Sequence, residues 1–322
     1  MKTLIWNGSP RPHGDTAALL QALQKGLEGE VRQVDAYRSD IRPCVDCRYC
    51  REHAGCCVQD GMQALYPYIL DCDNVVIASP IYFSELTGPL LSLASRLQTF
   101  FSARYFRGEQ PIVKQKRGAV LLCGGGDGAP DRAFATAETL LHQMRAVPLA
   151  RLLSHDTDRL PAAADAEALH RAARLAARLN GGTFAEGAEL LDQASIRAVL
   201  ALSMFNPAPE RLDARARACQ QDPAVMVLAL RESGTYVGAI VLRREENGAA
   251  TILNLAAAPA WRGQAVGSRL LDEAVLRLLP TTLLAETDDG AVGFYRKYGF
   301  TVCSLGEKYP GTVRYACEWV RK

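Results

Sequence analysis

The chain has 322 residues, and 37 Lys and Arg stand against 35 Asp and Glu for a net charge of +2, which provides no basic field for nucleic acid or an anionic membrane surface. A hydrophobic fraction of 48% and a charged fraction of 22% describe an ordinary globular protein of about two domains. No apolar run reaches the ~18 residues needed to cross a bilayer. The opening MKTLIWNGSPRP turns polar too early for a signal peptide. A cytoplasmic protein is expected, in which ten cysteines serve metal binding, redox chemistry or burial rather than a disulfide framework.

Residues 1–182 alternate strand and helix signals. KTLIWN is a first strand, closed by GSPRPHGD, and TAALLQALQKGL repeats at helical spacing. EVRQVDAY reads as a second strand, followed by the cysteine-rich RPCVDCRYCREHAGCC. GMQALYPYILDC is helical, NVVIASP an apolar strand and GPLLSLASRLQTFF a helix. KRGAVLLC runs into CGGGDG, then come RAFATAETLLHQM as helix, VPLARLLS as a fifth strand and DAEALHRAARLAARL as a closing amphipathic helix. Short strands alternating with helices predict a parallel sheet covered on both faces.

NGGTFAEGAE, residues 180–189, is rich in Gly and small polar residues and is expected to be a linker. Residues 190–322 begin with two helices, QASIRAVLALSMF and PERLDARARACQQ. Strands AVMVLALRE, TYVGAIVLRRE and ATILNLAAA follow, then the turn and helix RGQAVGSRLLDEAVLRLL, the strand TTLLAET, the helix DDGAVGFYRKYG, and strands FTVCSLGE and VRYACEWV. This is an α+β pattern with a mixed, mostly antiparallel sheet.

Ligands of open parallel sheets bind beyond the carboxyl ends of the strands. There the first helix presents free N–H groups and a positive dipole end. Ser9 and Thr16 add hydroxyls and Arg11 a fixed charge, a set suited to phosphate; the same residues also suit a helix-capping turn. At the same edge, Pro80, Ile81, Tyr82 and Phe83 can face a flat heterocycle, and Gly124, Gly125 and Gly126 allow close backbone approach. Three such loops on one edge point to a ligand with a phosphate and a planar ring.

These loops, GSPRPHGDT, SPIYFSELTGPL and CGGGDG, resemble those of the NAD(P)H-dependent FMN reductase family of the flavodoxin-like fold. The resemblance implies that Ser9, Arg11, Asp15 and Thr16 hold the FMN phosphate. It implies that Pro80 to Phe83 line the ring, that Gly124 to Gly126 close its other side, and that NAD(P)H donates hydride. It also implies a homodimer, for which the aromatic QTFFSARYFRGE is a candidate contact; the same aromatics equally suit a core. The spacing Cys44-x2-Cys47-x2-Cys50-x5-Cys56 is similar to that of iron–sulfur flavoproteins, a branch of the same family, and implies a [4Fe–4S] cluster on those four thiolates. Tetrahedral zinc and metal-free thiols remain alternatives; Cys57 falls outside the spacing and is expected to pack.

In the second half, WRGQAVGSRLL places a Gly-containing turn at a helix N-terminus, suited to a pyrophosphate or merely to starting a helix. With DDGAVGFYRKYGF about twenty residues later, it resembles the GNAT-type N-acetyltransferases. The resemblance implies that Arg262, Gly263, Gln264, Ala265, Val266, Gly267 and Ser268 cradle the acetyl-CoA pyrophosphate, with Ala265 where that family usually has glycine. It implies that the backbone of Asn254, Leu255, Ala256 and Ala257 runs beside the pantetheine arm and that Tyr295 protonates the leaving thiolate. Glu286 is the nearest candidate base, ahead of Glu245, Glu246 and Glu307. The whole chain is therefore expected to be a flavodoxin-like α/β domain fused to an α+β GNAT-type domain: an FMN-dependent oxidoreductase joined to an acetyltransferase acting on small molecules. The alternatives are an electron-transfer flavoprotein whose second domain only senses acyl-CoA, and an acetyltransferase with a docking module.

Overall fold

A computed structural model describes residues 1–126, 129–204, 206–309 and 311–321. Asp127 and Gly128 of the glycine loop, and Phe205 at the end of the QASIRAVLALSMF segment, lie outside these. The chain divides into two compact units, Met1–Asn180 and Gly181–Lys322.

The first unit runs β1 (Lys2–Asn7), α1 (Asp15–Gln24), β2 (Glu30–Asp35), α2 (Tyr49–Glu52), α3 (Met62–Asp71), β3 (Asn74–Pro80), α4 (Gly88–Ala94), α5 (Gln98–Arg107), β4 (Lys116–Cys123), α6 (Asp131–Gln143), β5 (Ala146–Ser154) and α7 (Ala166–Asn180). The expected single helix GPLLSLASRLQTFF is split: a 3-10 turn, Ser95–Leu97, separates α4 from α5. The five strands pair in parallel in the order β2-β1-β3-β4-β5. Strand periodicity explains the two layers of core. Leu4, Trp6, Val75, Ile77, Val120 and Leu122 face α3, α4 and α6, whereas Ile5, Val76, Ala78, Ala119 and Leu121 face α1 and α7. With both faces buried, the inner strands β1, β3 and β4 carry apolar runs, and the carboxyl ends of the parallel strands open on one edge.

The second unit runs β6 (Thr183–Glu186), α8 (Ala194–Ala201), α9 (Pro209–Gln221), β7 (Val225–Glu232), β8 (Thr235–Arg244), β9 (Ala250–Ala257), α10 (Val266–Leu278), β10 (Thr282–Asp288), α11 (Asp289–Tyr298), β11 (Thr301–Tyr309) and β12 (Thr312–Val320). The sheet order is β11-β12-β10-β9-β8-β7-β6, antiparallel except for β9 and β10. The stretch expected to be a linker thus contributes an edge strand: Phe184 and Ala185 pair with Leu230 and Ala229 of β7. Its four residues are too few to show a period of two between flanking glycines.

Helices α8 and α9 cover one face of this sheet through Ile196, Val199, Ala216 and Cys219. Helix α10 lies against β8, where a Cβ on Gly238 would meet Val266 Cγ1 at 2.4 Å. Among the described residues, no helix is long and apolar enough to cross a membrane.

Candidate functional site

In the first unit the strand-end loops are chained to one another. Gly8 N–H donates to Ala78 O at 2.7 Å, and Thr87 Oγ1 donates to Gly8 O at 2.8 Å. Ile81 N–H donates to Cys123 O, joining the loop after β3 to that after β4. The loop after β5 grips the glycines: Asp156 N–H donates to Gly126 O and Thr157 N–H to Gly124 O. Asp15 closes the ring, with Oδ1 accepting from Ala162 N–H at 2.8 Å.

The chained loops enclose a cleft of about 650 Å³, counted to its open mouth and lined by Ser9, Arg11, Asp15, Thr16, Pro80, Ile81, Tyr82 and Gly125 among others. Ser9 and Thr16 are 3% and 2% exposed, so their hydroxyls form part of a built wall. Arg11 is exposed at the rim. Because Asp15 has a carboxylate oxygen engaged with Ala162, its contribution to an anion is the backbone N–H at the helix start.

Of the expected ring-facing residues, Gly124 is buried behind the wall and Gly126 is exposed beside it. Phe83 is fully exposed, at 102%, and does not line the cleft. Phe83 and Ser84 both have positive φ, 54° and 61°, in a turn pinned by the reciprocal Tyr82–Glu85 backbone pair. Such φ values are costly for a bulky side chain. Four lining residues were not singled out from the sequence: Pro10, Cys123, Thr157 and Asp158. The last two follow the fifth strand without a glycine signature, and only the rule that every carboxyl end meets this edge would have flagged them. Burial pushes the Cys123 thiol up to about 12, so it is neutral at physiological pH.

The cysteine segment wraps a second, smaller pocket lined by Cys44, Cys47, Cys50, Cys56 and Cys57. Left-handed residues Asp46, Arg48 and Gly55 turn the chain around it. The face opposite comes from residues 95–107. Ser95 Oγ accepts from Cys44 N–H at 2.9 Å, Thr99 Oγ1 donates to Gly55 O at 2.9 Å, and Cys50 Sγ donates to Ser102 Oγ at 3.3 Å; Arg107 donates to Cys50 O. Thr99 and Ser102 of the segment expected to serve a dimer contact, with Ser95 just before it, form a polar stripe spaced i, i+4, i+7 that holds the cysteine loop. Phe101, Tyr105 and Phe106 of the same helix remain exposed.

Cys57 does not pack in a core as expected: it is exposed, with Sγ 3.3 Å from Cys47 Sγ. The Tyr49 backbone N–H and Cys57 together pull the Cys47 thiol below its usual value, and the Cys57 thiol is raised by the same contact. Among the described residues no three Cys, His, Asp or Glu side chains come close enough together to hold a single metal ion.

In the second unit β9 and β10 pair only from Leu283–Ala250 to Ala285–Ile252 and then part. The cause is visible in the β8–β9 ladder: Val241 opposes Asn254 and Leu242 opposes Ile252, so Leu253 is a bulge. A bulge bends its strand, and beyond it the edge of Asn254, Leu255, Ala256 and Ala257 that faces β10 has no strand pairing. The loop 262–268 leads into α10, with Gly263 at φ 80° and Ala265 at φ 60° as the residue preceding the helix. These turns aim the first N–H groups of α10 at one point.

Gly267 is where α11 rests on this loop, because a Cβ there would stand 3.0 Å from the Phe294 ring. The next residue, Tyr295, is 6% exposed and is edge-on to Phe294 and Phe300. Burial, with Cys317 nearby, pushes its phenol well above the usual range. Glu286 on β10 accepts from Lys308 Nζ at 3.1 Å and Arg314 Nε at 3.0 Å, and these cations hold its carboxyl below the usual range. That makes it a weaker base than a free carboxylate. Glu245 is likewise engaged, by Thr251 Oγ1 at 2.6 Å.

Comparison with known proteins agrees with both halves. The family described as NADPH-dependent FMN reductase matches residues 1–158, and the Acetyltransferase (GNAT) domain family matches residues 222–302. The chain therefore joins a flavodoxin-like domain of the FMN reductase type to a GNAT-type acetyltransferase domain, both of enzyme families. An iron-sulfur flavoprotein of Archaeoglobus fulgidus is 26% identical over 182 residues, covering 56% of this chain and 79% of that protein. One of Methanocaldococcus jannaschii is 32% identical over 130 residues, covering 39% of this chain and 63% of that protein, under two thirds of its length. A crystal structure of a GNAT family acetyltransferase from Elizabethkingia anophelis with acetyl-CoA bound covers 43% of this chain and 97% of that one, at 19% identity and a TM-score of 0.33.

Proposed function

We propose that the protein is bifunctional: an FMN-dependent NAD(P)H oxidoreductase in its first unit and an acetyl-CoA-dependent N-acetyltransferase in its second. The observation that carries the first half is the meeting of four strand-end loops on one cleft. The buried Ser9 and Thr16 hydroxyls, the Arg11 guanidinium and the α1 N-terminus would hold the FMN phosphate. Pro80, Ile81, Tyr82 and the Gly125 backbone would hold the ring, with Gly124 and Gly126 shaping that loop from behind and beside it. FMN bound there supplies hydride chemistry; no protein acid or base is required for it. The fully exposed Phe83 and the aromatic residues of α5 support a homodimer through this unit.

The second half is carried by the splay of β9 and β10 beside the 262–268 loop, with Tyr295 next to it. Arg262 to Ser268 would cradle the pyrophosphate, and Asn254 to Ala257 would pair with the pantetheine amides. A neutral amine attacks the thioester carbonyl, the C–S bond breaks, the Tyr295 hydroxyl gives its proton to the departing thiolate, and the proton shed by the new amide nitrogen restores the phenol. The raised phenol is fully protonated at neutral pH, as an acid must be. Glu286, depressed by its two cations, would take part by ordering the incoming ammonium group and accept its proton only weakly.

The cysteine pocket supports a further cofactor in the first unit. Cys44, Cys47, Cys50, Cys56 and Cys57 line one pocket, and thiolates are the donor set that a four-iron cluster takes. Cys44, Cys47, Cys50 and Cys56 would hold it, and the relatives bearing the name iron-sulfur flavoprotein favour the same reading. When bound, the cluster supplies one-electron transfer.

Two measurements on the anaerobically purified full chain test these proposals. Flavin absorbance bleached by NADPH supports the reductase, and a protein that rejects added FMN overturns it. Coenzyme A release across a panel of amines supports the transferase, and its absence with every amine overturns that half.

A further inference from the structure

Arg96 sits in the 3-10 turn between α4 and α5, and its side chain is 0% exposed. Its Nη1 donates to Asp60 Oδ2 at 2.6 Å and to Arg42 O at 2.9 Å. Its Nη2 donates to Cys56 Sγ at 3.4 Å and Val58 O at 3.3 Å. The partners Arg42, Val58 and Asp60 lie just outside the two ends of the cysteine segment, so one guanidinium fastens the loop at its base. Asp60 tightens the same closure by accepting from Arg42 N–H at 3.0 Å and Met62 N–H at 3.0 Å. Arg96 also lines the cysteine pocket, and its Nε is buried with no hydrogen-bond partner among the described residues. A buried cation with an unspent donor beside a group of thiols needs a reason, since an unsatisfied buried N–H costs free energy.

We infer that Arg96 is the positioning cation of the cysteine pocket: it closes the thiol-bearing loop and, by donating to Cys56 Sγ, favours the more negative, reduced state of a cluster held there. This rests on the cluster reading above. The ion pair is oriented for the task. Asp60 engages Nη1, leaving Nη2 toward the sulfur, and hydrogen bonds and charge near ligand sulfurs set the potential of such centres. Asp60 moderates the effect, so the two residues pull in opposite directions electrostatically while both support the loop mechanically.

That opposition supplies the test. The full chain is supplied anaerobically with ferrous iron and sulfide, and cluster reduction is followed by electron paramagnetic resonance, which separates it from flavin. Arg96→Gln is expected to lower the midpoint potential and to weaken iron retention against a chelator by about ten- to a hundredfold. Asp60→Asn keeps an acceptor for Arg42 N–H but frees the guanidinium charge, and is expected to raise the potential. Shifts of the same sign in both variants, or none, overturn the inference, since a purely mechanical role has no sign to reverse. Wild-type protein that takes up no cluster overturns the reading beneath it. Should Arg96→Gln fail to fold, judged by loss of FMN binding, Asp60→Asn decides alone: a potential that does not rise overturns the inference.

Discussion

The two units each place before a helix a loop that we propose binds an anion, and they build it by opposite means. In the loop leading to α1, no residue from Gly8 to Thr16 has a positive φ, and the work falls to side chains: two buried hydroxyls and Arg11. In the loop leading to α10, two residues within three are left-handed, Gly263 and Ala265, and the backbone itself is bent into the cradle. Side chains can be removed singly, whereas backbone can be changed only through its conformational cost. The two loops should therefore respond differently to substitution.

The largest effect should fall outside both loops. Tyr295→Phe is expected to lower kcat for acetyl transfer by about 10²–10⁴-fold while the KM for acetyl-CoA stays within about twofold, since an acid acts in the transition state and the cradle is intact. A matching rise in KM would show that the phenol helps to hold the substrate. Next comes the side-chain loop. Ser9→Ala and Thr16→Val should each weaken FMN binding by roughly tenfold or more, as expected for hydrogen bonds to a charged group worth about 1.5–3 kcal/mol. Ser268→Ala in the backbone loop should change acetyl-CoA binding by less than about twofold. Equal losses at Ser9 and Ser268, read by titration calorimetry, would erase the contrast.

A smaller, opposite change is expected at Ala265. A left-handed Ala costs about 1–2 kcal/mol, so Ala265→Gly should raise the melting temperature or tighten coenzyme A binding; a decrease in both would mean that the αL geometry is not what the bound state uses. The smallest effect is at Glu286. Lys308 and Arg314 hold its folded carboxyl below the ordinary glutamate value of 4.5, so its ion pairs add stability above that pH and lose it as the pH falls through the folded value. Glu286→Gln should cost at most about 1 kcal/mol at neutral pH, given a partly exposed pair. Its unfolding curve should converge with the wild type's in acid.

Much of the architecture was legible because the inner strands β1, β3 and β4 of the first sheet are buried on both faces and carry apolar runs, and because several αL turns and strand ends carry glycine. Less legible were features fixed by partners far along the chain. The bulge at Leu253 follows from counting residues against β8, which no local pattern in ILNLAAA reveals. The polar stripe Ser95, Thr99, Ser102 crosses from the 3-10 turn into α5, and Phe100 and Phe101 between its last two members hid its hold on the cysteine loop. Thr157 and Asp158 carry no motif and reach the cleft only because β5 ends beside β4. Phe83 was placed at the ring by the resemblance of its loop, but its side chain is fully exposed. The Cys57 thiol was judged by its spacing alone, and spacing does not show that it meets Cys47.

Strand β6 has a practical bearing on how the two units can be separated genetically. A gene fragment starting at residue 190 would encode both helices and every motif of the GNAT-type domain, yet it would leave out the strand that covers the outer edge of β7. Residues 228–231 would then display open backbone donors and acceptors on an apolar strand, a template for chain-to-chain addition. A cut before Thr183 keeps that edge closed, so an insoluble fragment from the later cut would report a missing border strand rather than a dependence of one activity on the other.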